Sequence, residues 1–373
     1  MKILYISTAE IPSQSANSIN IMSSCSAMAE LGHEVALCVP NSRNKYRKDI
    51  FSFYGLPSCF DILHLPCPTI PGGRYLYCCY LNKAARKFKP DILFGRYRRG
   101  LIALSGKGWP FVLEMHTVIR NNEKRKYSEL KEITKSKNFL ALITITQKMA
   151  EHFQCLPFPE LTPDKIFVAP NGSDTRFELK PVKLPRNTSG WQIGYAGSLK
   201  AQKGMELISH IAKGLPEHDF HIFGGDDNSI EEWRQLMPWS NVHFHGFVPP
   251  GKLPSWLVSL DICLLPNQQV ARNRPGEIIS SPLKLFDYMS LGKAIIASDF
   301  KEIRENISDR EALLLPYDQA QAWIETIKKL TQKQISSFGY RTKQLFDAQF
   351  TRRIRYAKLL DNLEYKLVDS KSE

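Results

Sequence analysis

One pattern occurs twice in this chain and limits what it can fold into. Near the start, "KILYIS" is rich in strand formers. A polar stretch, "TAEIPSQSAN", follows, and then "SINIMSSCSAMAELG", with apolar residues at Ile19, Met22, Cys25 and Met28 in a helical period that ends at Gly32. "HEVALCV" is the next strand. Strand, loop, helix and strand in about 40 residues make a βαβ unit, and "DILFG", "PFVLEM" and "ALITIT" extend the same parallel sheet. After the proline-containing connector "ELKPVKLPRNTSG" the pattern restarts. "WQIGYAG" is a strand, "SLKAQKG" a loop, "MELISHIAKGL" a helix and "DFHIFGG" a strand, with "NVHFHGFV", "DICLLP", "KAIIASD" and "ALLLP" as further strands. Helices such as "LPSWLVSL" and "SPLKLFDYMSLG" separate them.

The expected fold is therefore α/β, with two doubly wound Rossmann-like domains facing each other across a cleft and ligands beyond the carboxyl ends of the strands. A chain of 373 residues is long enough for two cores. The predicted division is residues 1–177, a linker at 178–190, a second domain at 191–345, and a final segment 346–373. In that last segment "TRRIRYAKLLDNLEYKLV" reads as an amphipathic helix with Ile354, Ala357, Leu360 and Leu363 on one stripe, packing back toward the first domain.

The eight cysteines form no CxxC pair and no cluster with zinc-ligand spacing, so they read as reduced residues of the cytosol, and no metal site is expected. The apolar run in "MKILYISTAEIPS" is too short for a signal peptide. No segment of about 18 apolar residues is present to span a membrane. The net charge of +13 calls for a polyanionic partner: nucleic acid, an anionic membrane face or phosphorylated substrates. "FGRYRRG" interleaves aromatic and basic residues, but no nucleic-acid motif is recognisable.

Chemistry concentrates in "SSPLKLFDYM". Ser281 is a natural N-cap and Pro282 a natural first helical residue. The amides of Leu283 and Lys284 are then unpaired, with the positive end of the helix dipole behind them and the Lys284 charge beside them. A diphosphate fits such a helix end. Asp287 lies on the same face as Lys284, where its carboxylate can accept hydrogen bonds from ribose hydroxyls. The alternative is a capped helix with a surface Lys–Asp pair. "GYAGSLKAQKG" adds a small-residue turn at Gly197 and Ser198, where backbone can approach phosphate oxygens, and Lys203, which can neutralise them.

These segments resemble the family 4 retaining glycosyltransferases. "PSQSANSINIMSSCSAMAELGHEVALCVP" is similar to that family's first loop, helix and strand. "IFVAPNGSDTRF" resembles its interdomain signature at Asn171, Gly172, Asp174 and Phe177. "GYAGSLKAQKG", "VHFHGFVPPGKLPSWLVSLDICLLP" and "SPLKLFDYMSLGKAIIASD" follow in the family's order. The resemblance covers nearly the whole chain. It implies the GT-B fold, a nucleotide-sugar donor in the second domain, an acceptor in the first, and metal-independent transfer with retention, the leaving diphosphate being stabilised by Lys203, Lys284 and helix amides. It places His116, at the end of the strand in "FVLEMHTVIR", near the donor sugar and the reacting centre; the alternative for that residue is a structural histidine.

The resemblance also implies a glycan or lipid-linked acceptor met by the first-domain loop Ser15, Ala16, Asn17 and Ser18. Backbone around Gly246, Phe247 and Val248 would meet the donor base, and Arg272, Arg274 and Glu277 would lie near the sugar. No cofactor is implied beyond the nucleotide-sugar, which is a substrate. Three departures stand out. Ile279 and Asp287 occupy the places of paired glutamates, Ser198 replaces an arginine, and residues 15–18 replace a Gly-Gly loop. A nucleotide-sugar epimerase and a non-catalytic polyanion-binding protein are the rival readings. The basic stretch 120–137, with seven Lys or Arg against Glu123, Glu129 and Glu132, suggests a cytoplasmic protein resting peripherally on anionic lipid.

Overall fold

The computed structural model describes residues 1–41, 49–120, 122–174, 179–268 and 283–369. The chain divides into two compact units, Met1–Pro170 with Arg352–Glu373, and Asn171–Thr351. In the first unit, strands β1 (Lys2–Ile6), β2 (Glu34–Pro40), β3 (Asp61–Leu65), β4 (Ile92–Gly95), β5 (Phe111–Met115), β6 (Phe139–Thr144) and β7 (Ile166–Val168) form a sheet of order β3-β2-β1-β4-β5-β6-β7. Every pairing in it is parallel. β4, β5 and β6 are buried along their whole length, as parallel strands covered on both faces must be, which is why they read as apolar runs broken only by Glu114 and Thr144. The first unit's helices before residue 170 are α1 (Ala16–Glu30), α2 (Ile50–Tyr54), α3 (Gly73–Phe88), α4 (Arg98–Ser105), α5 (Lys124–Thr134) and α6 (Gln147–Gln154).

The second unit repeats the plan. β8 (Gln192–Ala196), β9 (Asp219–Phe223), β10 (Val242–Gly246), β11 (Ile262–Leu265), β12 (Ala294–Ser298) and β13 (Leu313–Leu315) have the order β10-β9-β8-β11-β12-β13, again all parallel. Its helices are α7 (Met205–Gly214), α8 (Asp227–Leu236), α9 (Leu253–Leu257), α10 (Leu283–Ser290), α11 (Lys301–Arg304), α12 (Ala320–Lys329) and α13 (Gln332–Gln349). One sheet face packs Ile193, Tyr195, Ile208 and Trp323, and the other Ala196, Phe223, Leu285, Phe286 and Phe346. The strand order reverses beside β1 in the first unit and beside β8 in the second. Ligands of doubly wound sheets bind at the carboxyl ends of strands at such switch points.

The division differs from the expected one. The first unit ends at Pro170, and residues 171–174 already belong to the second, where Ser173 N donates to Phe350 O at 3.2 Å. The stretch read as a linker is packed down. Val182 N donates to Ser255 O, the Ser259 hydroxyl donates to Val182 O, and Leu184 is buried. The chain returns to the first unit at Arg352, where α14 (Arg352–Asp369) begins. α14 buries Tyr356, Leu359, Leu360, Leu363 and Leu367, together with Arg352 and Arg355. Ile354 and Ala357 lie at the border of that face. The two arginines displace the stripe because each has a buried acceptor; Arg352 Nη1, for example, donates to Asn20 Oδ1 on α1 at 2.8 Å.

β3 and β7 are the strands that the sequence reading missed. β3 is only partly covered, and β7 has three residues, so neither shows a buried apolar run.

Candidate active site

In the second unit, Lys284 sits in the first turn of α10 and reaches back over β8. Its Nζ stands 3.9 Å from the centre of the Tyr195 ring, a cation–π distance. The Tyr195 hydroxyl donates to Ser198 O at 2.8 Å, and Ala196 N donates to the Tyr288 hydroxyl at 2.9 Å. The turn after β8 is thereby tied to α10. Gly197 has φ 154° and lies so close to Lys284 that a Cβ there would collide with Nζ, so glycine at this position is what admits the lysine.

Lys284 Nζ is buried and meets no hydrogen-bond acceptor among the described residues. Burial, reinforced by the charge of Lys203, holds its pKa well below the usual lysine value. Lys203, in a single 3-10 turn at Ala201–Lys203, is also lowered, by burial first and then by Lys200. Two cations with no carboxylate between them among the described residues, at the carboxyl end of a switch-point strand, form a place where an anion is favoured.

Asp287 is one turn on, and its Oδ1 accepts the Ser173 hydroxyl at 2.6 Å. Ser173 comes from the 171–174 segment, a partner that spacing within α10 could not disclose. Gly246 closes β10 with φ 70°, and its carbonyl accepts Gly224 N at 2.7 Å. That oxygen is therefore engaged already, while Val248 packs into the core and Phe247 is half-buried. Ser281 and Pro282 lie outside the described residues, as do Arg272, Arg274, Glu277, Ile279 and Phe177; Leu283 is the first residue of α10.

In the first unit the corresponding carboxyl ends carry a second group. His116 follows β5, with Nε2 3.1 Å from Glu114 Oε1. Burial, with Arg96 adding to it, pushes the imidazole down to about 4, so it is neutral at physiological pH. Glu114 also accepts the Tyr5 hydroxyl at 3.0 Å, Arg96 Nε at 3.1 Å and Arg355 Nη2 at 2.7 Å. Burial alone would raise this carboxyl, but the guanidiniums of Arg96 and Arg355 hold it well below the usual carboxylate range.

Residues 16–18 are not the loop expected from the sequence. Ser15 accepts Ser18 N and caps α1, so Ala16, Asn17 and Ser18 form that helix's first turn. Asn17 Oδ1 accepts Arg96 Nη1 at 2.9 Å, which connects the turn to the Glu114 group. The sequence reading took Arg96 only as one of a group of surface basic residues and did not single out Arg355. The signal was an arginine in "FGRYRRG" directly after a buried strand, and another on the apolar side of a predicted helix.

Residues 21–177 match a family profile described as Glycosyltransferase Family 4, and residues 191–333 match one described as Glycosyl transferases group 1. The chain belongs to the family 4 glycosyltransferases. Its two Rossmann-like units are those of the GT-B fold. Sucrose-phosphate synthase from Thermosynechococcus elongatus superposes with a TM-score of 0.73 at 15% identity, over 98% of this chain and 99% of that one. Anabaena HepE, solved in complex with UDP-glucose, gives 0.70 at 13% identity, over 98% and 100%. The putative teichuronic acid biosynthesis glycosyltransferase TuaH of Bacillus subtilis is 26% identical over 142 residues, 36% of this chain and 35% of the relative. The match thus spans about a third of that relative's length.

The family 4 chain also carries a histidine ladder on β9 and β10. His221 Nδ1 is 2.9 Å from His245 Nε2, His221 Nε2 is 2.7 Å from Gln192 Oε1, and His243 Nε2 is 2.8 Å from Asp219 Oδ1. Gln192 Nε2 donates to Asp219 Oδ2, so its oxygen faces His221. His221 therefore carries its proton on Nε2 and accepts from His245 at Nδ1. No group of three His, Cys, Asp or Glu residues able to hold a metal is present among the described residues. Burial, with the neighbouring imidazoles adding, pushes His221 down to about 3 and His245 to about 4.

Both imidazoles are neutral in the fold, while the unfolded chain takes up protons near pH 6.5. Their contribution is complete above that pH and is lost as pH falls toward the folded-state values. Unfolding free energy should drop by about 2 kcal/mol at pH 5 through His221, and by less through the more exposed His245. Urea unfolding from pH 8 to pH 5 checks this, and His221→Gln should flatten the slope.

Proposed function

We propose that this chain moves a glycosyl group from a nucleoside-diphosphate sugar to a glycan or lipid-linked acceptor, with retention at the anomeric carbon and without a metal ion. The observation that carries the reading is the buried ammonium of Lys284, without an acceptor among the described residues, beside Lys203 at the carboxyl end of β8. A diphosphate would supply the acceptors that Lys284 lacks. Membership of family 4 makes glycosyl transfer the reaction class, the complex of HepE with UDP-glucose supports a nucleotide-sugar donor, and TuaH, whose name assigns it putatively to teichuronic acid biosynthesis, is in keeping with a glycan acceptor.

In this reading the bond between the anomeric carbon and the diphosphate oxygen breaks. The acceptor oxygen bonds to the same face of the sugar, and its proton passes to the departing diphosphate. Lys203, Lys284 and the first amides of α10 stabilise the negative charge that grows on the leaving group. Asp287, steadied by Ser173, accepts hydrogen bonds from the ribose. Neutral His116 serves as a hydrogen-bonding group for a sugar hydroxyl rather than as a cation.

The test is a panel of UDP-, GDP- and ADP-sugars, scored first by thermal stabilisation and then by transfer to extracted glycans. One donor class should stabilise the protein and be consumed with release of its diphosphate, at the same rate in chelator. Conversion of the donor to its epimer without an acceptor would favour the epimerase instead. Loss of turnover in chelator, restored by manganese, would overturn the metal-free reading.

A further inference from the structure

The surface formed by α3 and the turn before it is unlike the rest of the first unit. Residues 62–90 contain no Asp or Glu, yet hold Arg74, Lys83, Arg86, Lys87 and Lys89. Ile70 is 60% exposed, Tyr75 74%, Leu76 42% and Tyr80 39%, and Cys79 is exposed as well. The helix buries Gly73, Tyr77, Leu81 and Ala85, each four residues from the next. Positions 75, 76, 79, 80, 83, 86 and 87 therefore share the opposite face. Apolar and aromatic groups take its N-terminal half and basic groups its C-terminal half.

The basic stretch 120–137 behaves differently. Glu129 accepts Arg98 Nε and Arg99 Nε and faces Arg125 Nε at 3.4 Å, while Lys126 pairs with Glu123. Arg125 and Lys126 are thereby neutralised within the unit, while Lys124, Lys131, Lys135 and Lys137 lie exposed without apolar neighbours of the kind α3 presents. Arg74, Lys83, Arg86 and Lys87 make no ion pair among the described residues and keep their charge for a partner.

We propose that α3 is a membrane-docking element, lying in the plane of an anionic leaflet. Ile70, Tyr75, Leu76 and Tyr80 settle at the depth where phenol rings and aliphatic groups are favoured. Lys83, Arg86 and Lys87 meet the lipid phosphates. A face of one sign, without a single carboxylate, complements a uniformly anionic surface better than the mixed charges of a typical protein partner. Among the described residues no helix is long and apolar enough to cross a membrane, so the contact is peripheral. This inference goes beyond the transfer reaction and does not depend on it.

Flotation of the full chain with neutral and with anionic phospholipid vesicles tests the assignment. Binding should require anionic lipid and fade as salt rises. Arg86→Ala with Lys87→Ala should weaken partitioning about twenty-five-fold, at roughly a fivefold loss for each basic residue near the surface. Tyr75→Ser with Leu76→Ser should weaken it too, whereas Arg125→Ala with Lys126→Ala should change it little. In Tyr75→Trp, vesicles should shift the indole emission to the blue. All these side chains are exposed, and donor-induced thermal stabilisation should be unchanged in every variant, which keeps a failure here distinct from a failure of the donor site. Absence of binding, equal binding to both vesicle types, or binding that ignores Tyr75 and Leu76 would overturn the proposal. Self-association abolished by Tyr75→Ser, without vesicle binding, would overturn it in favour of a second copy of the chain.

Discussion

A Lys284→Met variant should unfold at or above the wild-type temperature while losing between about tenfold and more than a hundredfold in rate at limiting donor. Both halves follow from one geometry. Without a donor, Nζ is buried, has no acceptor among the described residues, and feels the charge of Lys203. An unpaired buried charge destabilises a fold, and an apolar side chain of similar length removes that penalty. Methionine also retains a favourable contact with the Tyr195 ring, over which Nζ stands. With the donor bound, the loss is that of hydrogen bonds to a charged group, about 1.5–3 kcal/mol. Differential scanning fluorimetry with initial rates over a donor series reads both. A variant that unfolds several degrees lower yet turns over normally would make Lys284 a packing residue.

Glu114→Gln should destabilise the first unit by about 3–5 kcal/mol, the cost of removing one partner from a buried ion cluster. Glu114 lies on β5 and accepts from Tyr5 on β1, Arg96 after β4 and Arg355 on α14. The glutamine keeps shape and some hydrogen bonds but leaves two buried guanidiniums without their carboxylate. Arg355 also donates to Ala169 O and Pro170 O, so weakening its anchor loosens the seat of α14. Urea titration monitored by far-UV circular dichroism measures the loss. A change below about 1 kcal/mol would mean that water already screens the cluster.

The parallel sheets could be read from sequence because their strands are buried on both sides, so "FVLEM" and "AIIAS" are apolar but for one residue each, Glu114 and Ser298. That Lys284 opens a helix and Gly197 follows a strand could be read because a helix start and a small-residue turn are local features. Arg355 and Ser173 could not. Each acts on a residue more than a hundred positions away, Glu114 and Asp287 respectively, and a side chain's partner is set by topology rather than by spacing. The first turn of α1 was misplaced because Ser15, Asn17 and Ser18 are weak helix formers, whereas the Ser15 cap and the tie from Asn17 to Arg96 decide the matter. The segment 179–190 resembled a linker by its prolines and polar residues, although Asn187 N and Thr188 N are taken up by the buried Asp219 carboxylate.

In the proposed function, Lys284 and Lys203 receive a diphosphate. Calorimetric titration of the wild-type protein with UDP, GDP and ADP, at about pH 9 in two buffers of different ionisation enthalpy, tests it most directly. An ammonium held well below the ordinary lysine value of about 10.4 should take up a proton when the diphosphate arrives. One nucleoside diphosphate should bind with net proton uptake, both lost in Lys284→Met. Binding without proton uptake, and unchanged in that variant, would contradict it.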